Sequence, residues 1–579
     1  MSHCIIKSLP DMAKARNRVD QSKVIYDDFK PSEALLSFAK GKKYLVKTFG
    51  CQGNVRDEEI ISGYLERMGY APAKDEEEAN IVIINTCAVR ENAEDKVYGE
   101  IGKFKAKSKA DPDFVLGICG CMMQEEGKAK KLLASYPYID LVFGTHNIVD
   151  LPGLLEEHIK THKSLLDVIS YPGDIIEGLP SIRLDPYKAY VNISYGCDKF
   201  CTYCIVPYTR GRERSRPLQS IVEECRKLVD QGYKEITLLG QNVNSYGKDF
   251  HDGTSFATVL EEVAKLGIPR LRFMTSHPYD FSLQMLDVIA KYPNIMKCIH
   301  LPVQSGSTEV LRQMGRRYTR EQYLQLVDEV RKRIPDCAIT TDIIVGFPNE
   351  TEEQFEDTLS LCEQVKYDAA FTFIYSPRAG TPAAKMVDNV SDEAKHERFD
   401  RLLKVIEKGV MYHSAKMVGN TYDVLVDGPS KKDKSMLSGY TEKGKLINFK
   451  GPECLSGQIV KVKIIEDHAF SMIGELAEDP FSILLSSAYE ALKNEPEYKS
   501  YLEAKKAFEE DASLQELLKE KEAAQRDLAI SLDKEDYPQK KADFQKIEEA
   551  VQNHPVYCNF MSSVEDLRGL LEQAKKVLQ

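Results

Sequence analysis

Six of the 14 cysteines sort into two sets of three. Cys197, Cys201 and Cys204 form a tight C-x3-C-x2-C within SYGCDKFCTYCIVPYTRGRERSR, whereas Cys51, Cys87 and Cys121 lie more than thirty residues apart. A closed iron–sulfur or zinc site takes four protein ligands, so three thiolates leave one metal position for another ligand, and an open position implies chemistry on whatever binds there. Zinc could use Cys201-x2-Cys204, but no fourth Cys or His follows at finger spacing, which favours a cube of iron and sulfide. Cys119 reads as a strand end facing the core. Cys4, Cys225, Cys298, Cys337, Cys362, Cys454 and Cys558 have no partner at metal spacing and read as buried thiols, with Cys558 the one to watch.

The elements around the dispersed set explain how it could converge. Three β-branched runs, YLVKTF (44–49), IVIINT (81–86) and VLGIC (115–119), alternate with amphipathic stretches at 54–69, 90–109 and 124–135, the βαβ rhythm of a small parallel sheet. Cys51, Cys87 and Cys121 each follow one of these strands, and parallel strands end on one edge, where such folds place ligands. After a Pro/Gly-marked segment, YPGDIIEGLPSIR (171–183), strand-like runs recur six times: AYVNIS (189–194), EITLLG (235–240), LRFMTS (271–276), CIHLPV (298–303), AITTDIIVGF (338–347) and AAFTFIY (369–375). Six strand–helix repeats predict an open, partial (β/α)6 barrel whose functional edge is the C-terminal ends of its strands. Cys197 to Cys204 follow the first strand, and Gln241, Ser305, Asp342 and Gly346 follow or end later ones.

Beyond about residue 414 the pattern changes to short alternating strands with turns, predicting a small antiparallel β-barrel with Lys431 and Lys432 in a basic loop. From residue 481 only Gly569 remains among the glycines, and heptad-like spacing predicts a helical domain that serves self-association or a protein partner. The expected division of this α/β multidomain chain is thus 1–41 extension or docking arm, 42–165 small parallel α/β domain, 183–413 partial barrel, 414–478 β-barrel and 481–579 helical domain. The longest apolar runs are strand length, which argues against a membrane span, and the start lacks a signal-peptide pattern; a cytoplasmic location is the expectation.

The net charge of −12 argues against a polyanionic partner at first sight, yet residues 481–579 alone carry −6 of it. Local clusters therefore matter more than the total. Arg210, Arg212, Arg214 and Arg216 alternate in TRGRERSRP, which is either a solvated basic strand or a row of phosphate contacts leading toward the cysteine loop.

At this point the residues resemble a known family. The C-x3-C-x2-C with Tyr203 before its last cysteine is similar to the radical S-adenosylmethionine signature, and with the upstream triad and a TRAM-like β-barrel, residues 42–478 resemble the methylthiotransferases, closest to the MiaB type. The stretches KTFGCQGN, NTCAVRENAEDKV, TSHPYDF, HLPVQSGSTEVLRQMGRRYTREQYL and VDGPSKKD carry this. Ribosomal-protein-modifying relatives usually have His-Ala-Ser where this chain has Ser305-Gly306-Ser307. The resemblance implies two [4Fe–4S] clusters, on Cys197/Cys201/Cys204 and on Cys51/Cys87/Cys121, with S-adenosylmethionine at the first and a transferable sulfur at the second. It implies a tRNA substrate, N6-isopentenyladenosine in the anticodon loop, methylthiolated at C2, with Gln241, Ser305, Asp342 and Gly346 as S-adenosylmethionine contacts. The alternatives are a threonylcarbamoyladenosine substrate or a non-catalytic iron–sulfur RNA-binding protein. The last hundred residues resemble the YlbF/YmcA helical proteins, implying an RNA-maturation or regulatory partner. Electron donor and sulfur source stay open.

Overall fold

A computed structural model describes residues 4–17, 22–88, 91–170, 173–468, 471–532 and 534–578. Val89 and Arg90 of NTCAVRENAEDKV and Tyr171-Pro172 of the expected linker lie outside them. Two compact units are present, Met1–Ala477 and Glu478–Gln579.

In the first unit the three expected strands are Lys43–Thr48, Ile81–Thr86 and Val115–Gly120. They are adjacent and parallel inside a seven-stranded sheet in which every pairing is parallel. Ile81–Thr86 is buried along its whole length, as a central strand covered on both faces must be. The sheet is larger than its three strongest runs because its outer strands are short. One of them, Cys4–Ser8, comes from the stretch expected to be an extension, and pairs with Ser164–Asp167. Five residues with one partly buried face leave too little periodicity to be read from sequence.

The six strands of the second region form two parallel three-stranded sheets. Lys188–Asn192, Glu235–Leu239 and Arg270–Phe273 make one, and Cys298–His300, Ala338–Val345 and Ala369–Ile374 the other. Isolated bridges at Leu271–Ile295 and Gln304–Ile343 supplement these ladders, as suits an open barrel. Apolar residues such as Val191, Ile236, Leu238, Leu271, Ile299 and Ile343 form one continuous core with the covering helices. The opposite, lumen face carries Tyr190, Thr237, Arg272, His300, Thr340 and Asp342, together with Ile344, Phe371 and Phe373.

The five-stranded closed barrel spans Thr421 to Leu476. It is antiparallel except for Leu446–Phe449, which runs parallel to Met472–Leu476 and closes the cylinder. This barrel docks at the N-terminal ends of the six strands. Lys188 pairs with Asp427, Arg270 donates to the carbonyls of Tyr440 (2.6 Å) and Asp423 (2.7 Å), and Lys445 donates to the carbonyl of Asp368 (3.0 Å). Since those strands are parallel, the β-barrel lies on the edge opposite the cysteine loop. The second unit consists of helices Pro480–Asn494, Pro496–Glu510, Ala512–Ile530, Tyr537–Gln552 and Pro555–Leu578.

Candidate iron–sulfur centres

The dispersed cysteines converge through strand topology. Cys51 caps the helix Gln52–Arg67, Cys87 follows Ile81–Thr86, and Cys121 follows Val115–Gly120. A methyl group on Gly50 would stand 3.0 Å from the Cys87 Cβ, which shows how closely the first two loops approach. Asn54 ties them: its amide donates to the Asn85 Oδ1 (3.1 Å) and the Thr86 carbonyl (3.0 Å), while its Oδ1 accepts from the Cys51 Sγ (3.4 Å). The second triad sits in one loop. Cys204 N–H donates to the Cys201 carbonyl (3.0 Å), and the Lys199 N–H donates to the Cys197 Sγ (3.4 Å). Gly196 enters this loop at φ 74°, where the Arg212 carbonyl stands 2.1 Å from the position a Cβ would take, so only glycine fits without movement.

The two sites adjoin. Cys121 packs with Ile205, the residue after Cys204, and with Tyr208, and partly buried Met12 packs against the same cluster. Arg16 stacks over Phe200 (4.9 Å) and Tyr208 (5.5 Å), so the segment expected as a docking arm docks on the chain's own cysteine loop.

Burial pushes the Cys121 and Cys204 thiols up to about 12 and the Cys197 thiol well above its ordinary range. A free thiolate is disfavoured there, and a bound metal would favour ionisation of these thiols. Two buried arginines aim at the sulfurs. Arg210 donates from Nε to Cys121 Sγ (3.1 Å), and Arg316 from Nη1 lies 3.6 Å from Cys201 Sγ. Among the described residues no three Cys, His, Asp or Glu side chains close on a single metal ion. A cuboidal cluster places each thiolate on a different iron and spreads its ligands wider than one ion does. Three cysteines at each site, with the Lys199 N–H and Arg316 on sulfurs of one and Arg210 on a sulfur of the other, fit such an anionic cluster.

The arginine row corrects the sequence expectation. Arg210, Arg214 and Arg216 are buried. Arg210 also binds Asp57 with both terminal nitrogens, and Arg214 donates to the Gly173 carbonyl (2.7 Å). Arg216 binds Glu177 and Glu224 inside a network with Arg56, Arg183 and Glu59 that welds the helix Gln52–Arg67 to Leu218–Asp230. Burial raises the Glu224 carboxyl, but Arg216, Arg56 and Arg183 outweigh it and hold it at about 2. Alternating arginines read as an exposed strand because spacing does not reveal the carboxylates that come from distant elements. Arg212 alone is partly exposed; it pairs with Asp198 (2.7 Å) and stacks over Phe200 (5.0 Å). Lys431 and Lys432 are exposed.

Of the four proposed S-adenosylmethionine contacts, the Gln241 side-chain Oε1 accepts from Gly196 N–H and so steadies the cysteine loop. Ser305 is fully buried, accepting from Ser307 N–H (3.2 Å) and contacting Thr358 Oγ1 (3.3 Å). Gly346 donates to Glu350 (2.8 Å). Asp342 remains partly exposed on the lumen face, 3.5 Å from His300. Sequence reading passed over Asp57, Arg316 and Asp280; Asp280 accepts from Lys199 (2.9 Å), Lys248 (2.6 Å) and Asn242 (2.7 Å) at the strand-end rim. Their signal is charge in otherwise apolar surroundings, visible only after folding. Cys4 is half-buried and Cys454 and Cys558 are exposed, against the expectation of burial; the other four unpaired thiols are buried. A cavity of about 970 Å³ lies at the β-barrel seam beside Cys337 and Asp368, on the edge away from the two triads.

The partial barrel and its three-cysteine loop define an enzyme of the Radical SAM superfamily, whose family model matches residues 191–362. Its cofactors are a [4Fe–4S] cluster and S-adenosylmethionine. Further models match the Uncharacterized protein family UPF0004 over 43–144, the TRAM domain over 415–477, and Control of competence regulator ComK, YlbF/YmcA over 489–579. Over 475 residues the chain is 50% identical to a tRNA-2-methylthio-N(6)-dimethylallyladenosine synthase of Bacillus licheniformis, covering 82% of this chain and 93% of that one. It is 49% identical over the same length to the enzyme of that name from Bacillus subtilis, again covering 82% and 93%. The chain belongs to the tRNA-2-methylthio-N(6)-dimethylallyladenosine synthase family. The solved radical S-adenosylmethionine methyltransferase TsrM of Kitasatospora setae aligns at TM-score 0.43 and 15% identity, over 59% of this chain and 75% of that one. No described helix is long and apolar enough to cross a membrane.

Proposed function

We propose that this enzyme adds a methylthio group to C2 of N6-dimethylallyladenosine in the anticodon loop of tRNA. The observation that carries the reading is the meeting of two three-cysteine sites, each at the strand ends of its own sheet, through Cys121 and Ile205. Family membership over nearly the full length of the relatives supports the substrate.

Cys197, Cys201 and Cys204 would hold one [4Fe–4S] cluster and Cys51, Cys87 and Cys121 a second. When bound, the clusters and S-adenosylmethionine supply one-electron chemistry and the sulfur and methyl groups. The chain's own residues do the rest. Gln241 fixes the turn into Cys197, Asn54 holds the Cys51 and Cys87 loops in register, and Ile205, Tyr208 and Met12 exclude water between the sites. Asp342 and the loop around Gln241 are proposed to face S-adenosylmethionine, with Ser305 and Gly346 shaping that wall from within. A splayed base can enter such an edge without melting a helix. Arg212 near the cysteine loop, and Lys431 and Lys432 on the β-barrel, are proposed phosphate contacts. The helical unit, with Phe481, Leu485 and Tyr489 exposed at i, i+4 and i+8 of one helix, is proposed as a protein-contact surface.

The test is mass spectrometry of tRNA nucleosides from cells lacking the gene and from cells complemented with it. Loss and return of the 2-methylthio derivative of dimethylallyladenosine is the expected outcome. Loss of the threonylcarbamoyl derivative instead would replace the substrate, and an unchanged nucleoside profile would reject the activity.

A further inference from the structure

Both cysteine sites carry one buried arginine pointed at a sulfur, but the two arginines are compensated differently. Arg210 leaves the cysteine loop of the partial barrel, crosses to the other sheet and donates to Cys121 Sγ at 3.1 Å. Its two terminal nitrogens are taken by the buried Asp57 carboxylate, from the helix that Cys51 caps. The pair is therefore neutral. Arg214, also buried, donates to the Gly173 carbonyl (2.7 Å).

Arg316 is 4% exposed and reaches Cys201 Sγ at 3.6 Å. Its other partners are the Pro302 carbonyl (2.6 Å) and the hydroxyls of Tyr318 (3.1 Å) and Tyr203 (3.4 Å). Among the described residues it has no carboxylate partner, so it brings a full positive charge. Adding an electron to a cluster makes it one unit more negative, and a nearby cation, or an N–H donor on a ligand sulfur, stabilises that reduced form.

We propose that Arg316 and the Arg210–Asp57 pair are positioning residues that poise the two clusters at different reduction potentials, with the Cys51/Cys87/Cys121 cluster held low because Asp57 cancels the charge of Arg210. This rests on the two-cluster reading above. Removing the carboxylate and removing the guanidinium should therefore shift one cluster in opposite directions, whereas breaking a merely structural ion pair from either side would disturb the site in the same way.

The experiment is an electrochemical titration, followed by electron paramagnetic resonance, of the reconstituted full-length holoenzyme, with iron and sulfide counted first. About eight irons per chain are required by the two-cluster reading, so a count near four rejects that reading before any potential is compared. With both clusters present, D57N should raise the potential of the cluster on Cys51, Cys87 and Cys121, R210Q should lower it, and R210K should leave it near the starting value. R316Q should lower only the other cluster. Shifts of the same sign in D57N and R210Q, or none, overturn the proposal, as does a D57N or R210Q shift confined to the Cys197/Cys201/Cys204 cluster. If R210Q loads no iron at its site, the sign in the near-isosteric D57N decides: upward supports the proposal, unchanged or downward overturns it.

Discussion

The two cysteine sites reach similar chemistry by opposite routes. Cys197, Cys201 and Cys204 occupy one loop, so their local spacing already brings them together. Cys51, Cys87 and Cys121 are gathered only because Lys43–Thr48, Ile81–Thr86 and Val115–Gly120 lie side by side and parallel. The first site depends on a single turn steadied by Gly196 and Gln241, whereas the second depends on the register of a whole sheet and on Asn54 bridging two loops. A local site can be destroyed by one residue. A topological site also fails when the sheet beneath it is loosened.

The sharpest way to break the comparison is to remove one ligand from each. C201A should abolish S-adenosylmethionine cleavage and product together. C87A should leave cleavage measurable while product formation is lost, and about half the iron should disappear from either variant. Equal loss of cleavage in both would mean that the sites are not separable.

The next effect is on the weld that sets one sheet against the other. R216A leaves Glu177 and Glu224 without their shared guanidinium, and should cost about 3–5 kcal/mol of stability in denaturant unfolding. A loss below about 1 kcal/mol would show that the two sheets are held by something else.

Glu125, four residues after Cys121, sharpens the comparison from the side of pH. Burial, opposed by Lys128, raises its carboxyl to about 7. Its folded value lies above its unfolded one, so the stability linked to the protonated form is complete below about 4.5 and is lost as pH rises through 7. E125Q should therefore gain on the order of 1–3 kcal/mol over the parent at pH 8 and nothing at pH 4, read as the difference between melting curves. A gain independent of pH would assign the effect to packing.

The smallest effect falls on the β-barrel, at the strand edge opposite the cysteine loop. The double variant K431A/K432A should keep S-adenosylmethionine cleavage unchanged, weaken tRNA binding modestly, and reduce the slope of log affinity against log salt by about 1.4 to 1.8. An unchanged slope would remove the β-barrel loop from the RNA contact.

How much could be read in advance follows the same divide. The three central strands of the first sheet announce themselves as β-branched runs because central parallel strands covered on both faces are apolar throughout, and the six strands of the partial barrel as strand-length runs whose apolar residues alternate with lumen-facing ones. The outer strand Cys4–Ser8 does not, since a short edge strand needs only one covered face. Alternating arginines at 210, 212, 214 and 216 looked like a phosphate track. Three of them are buried: Arg210 and Arg216 are internal counter-ions to Asp57, Glu177 and Glu224, which arrive from elsewhere in the chain, and Arg214 donates to the Gly173 carbonyl. Ser305 and Gly346 likewise proved to be engaged within the protein.

The sequence by itself determined which residues could hold metal, since thiolate chemistry belongs to the residue type and the C-x3-C-x2-C loop is local. It also determined the succession of sheet, partial barrel, β-barrel and helices, since each has its own periodicity. Tertiary structure alone decided that the two triads adjoin, that the β-barrel lies on the opposite strand edge, and that one arginine is neutralised while the other is not. Those outcomes depend on burial and on partners distant in sequence: desolvation makes an unpaired charge costly, and only the fold decides which carboxylate is within reach.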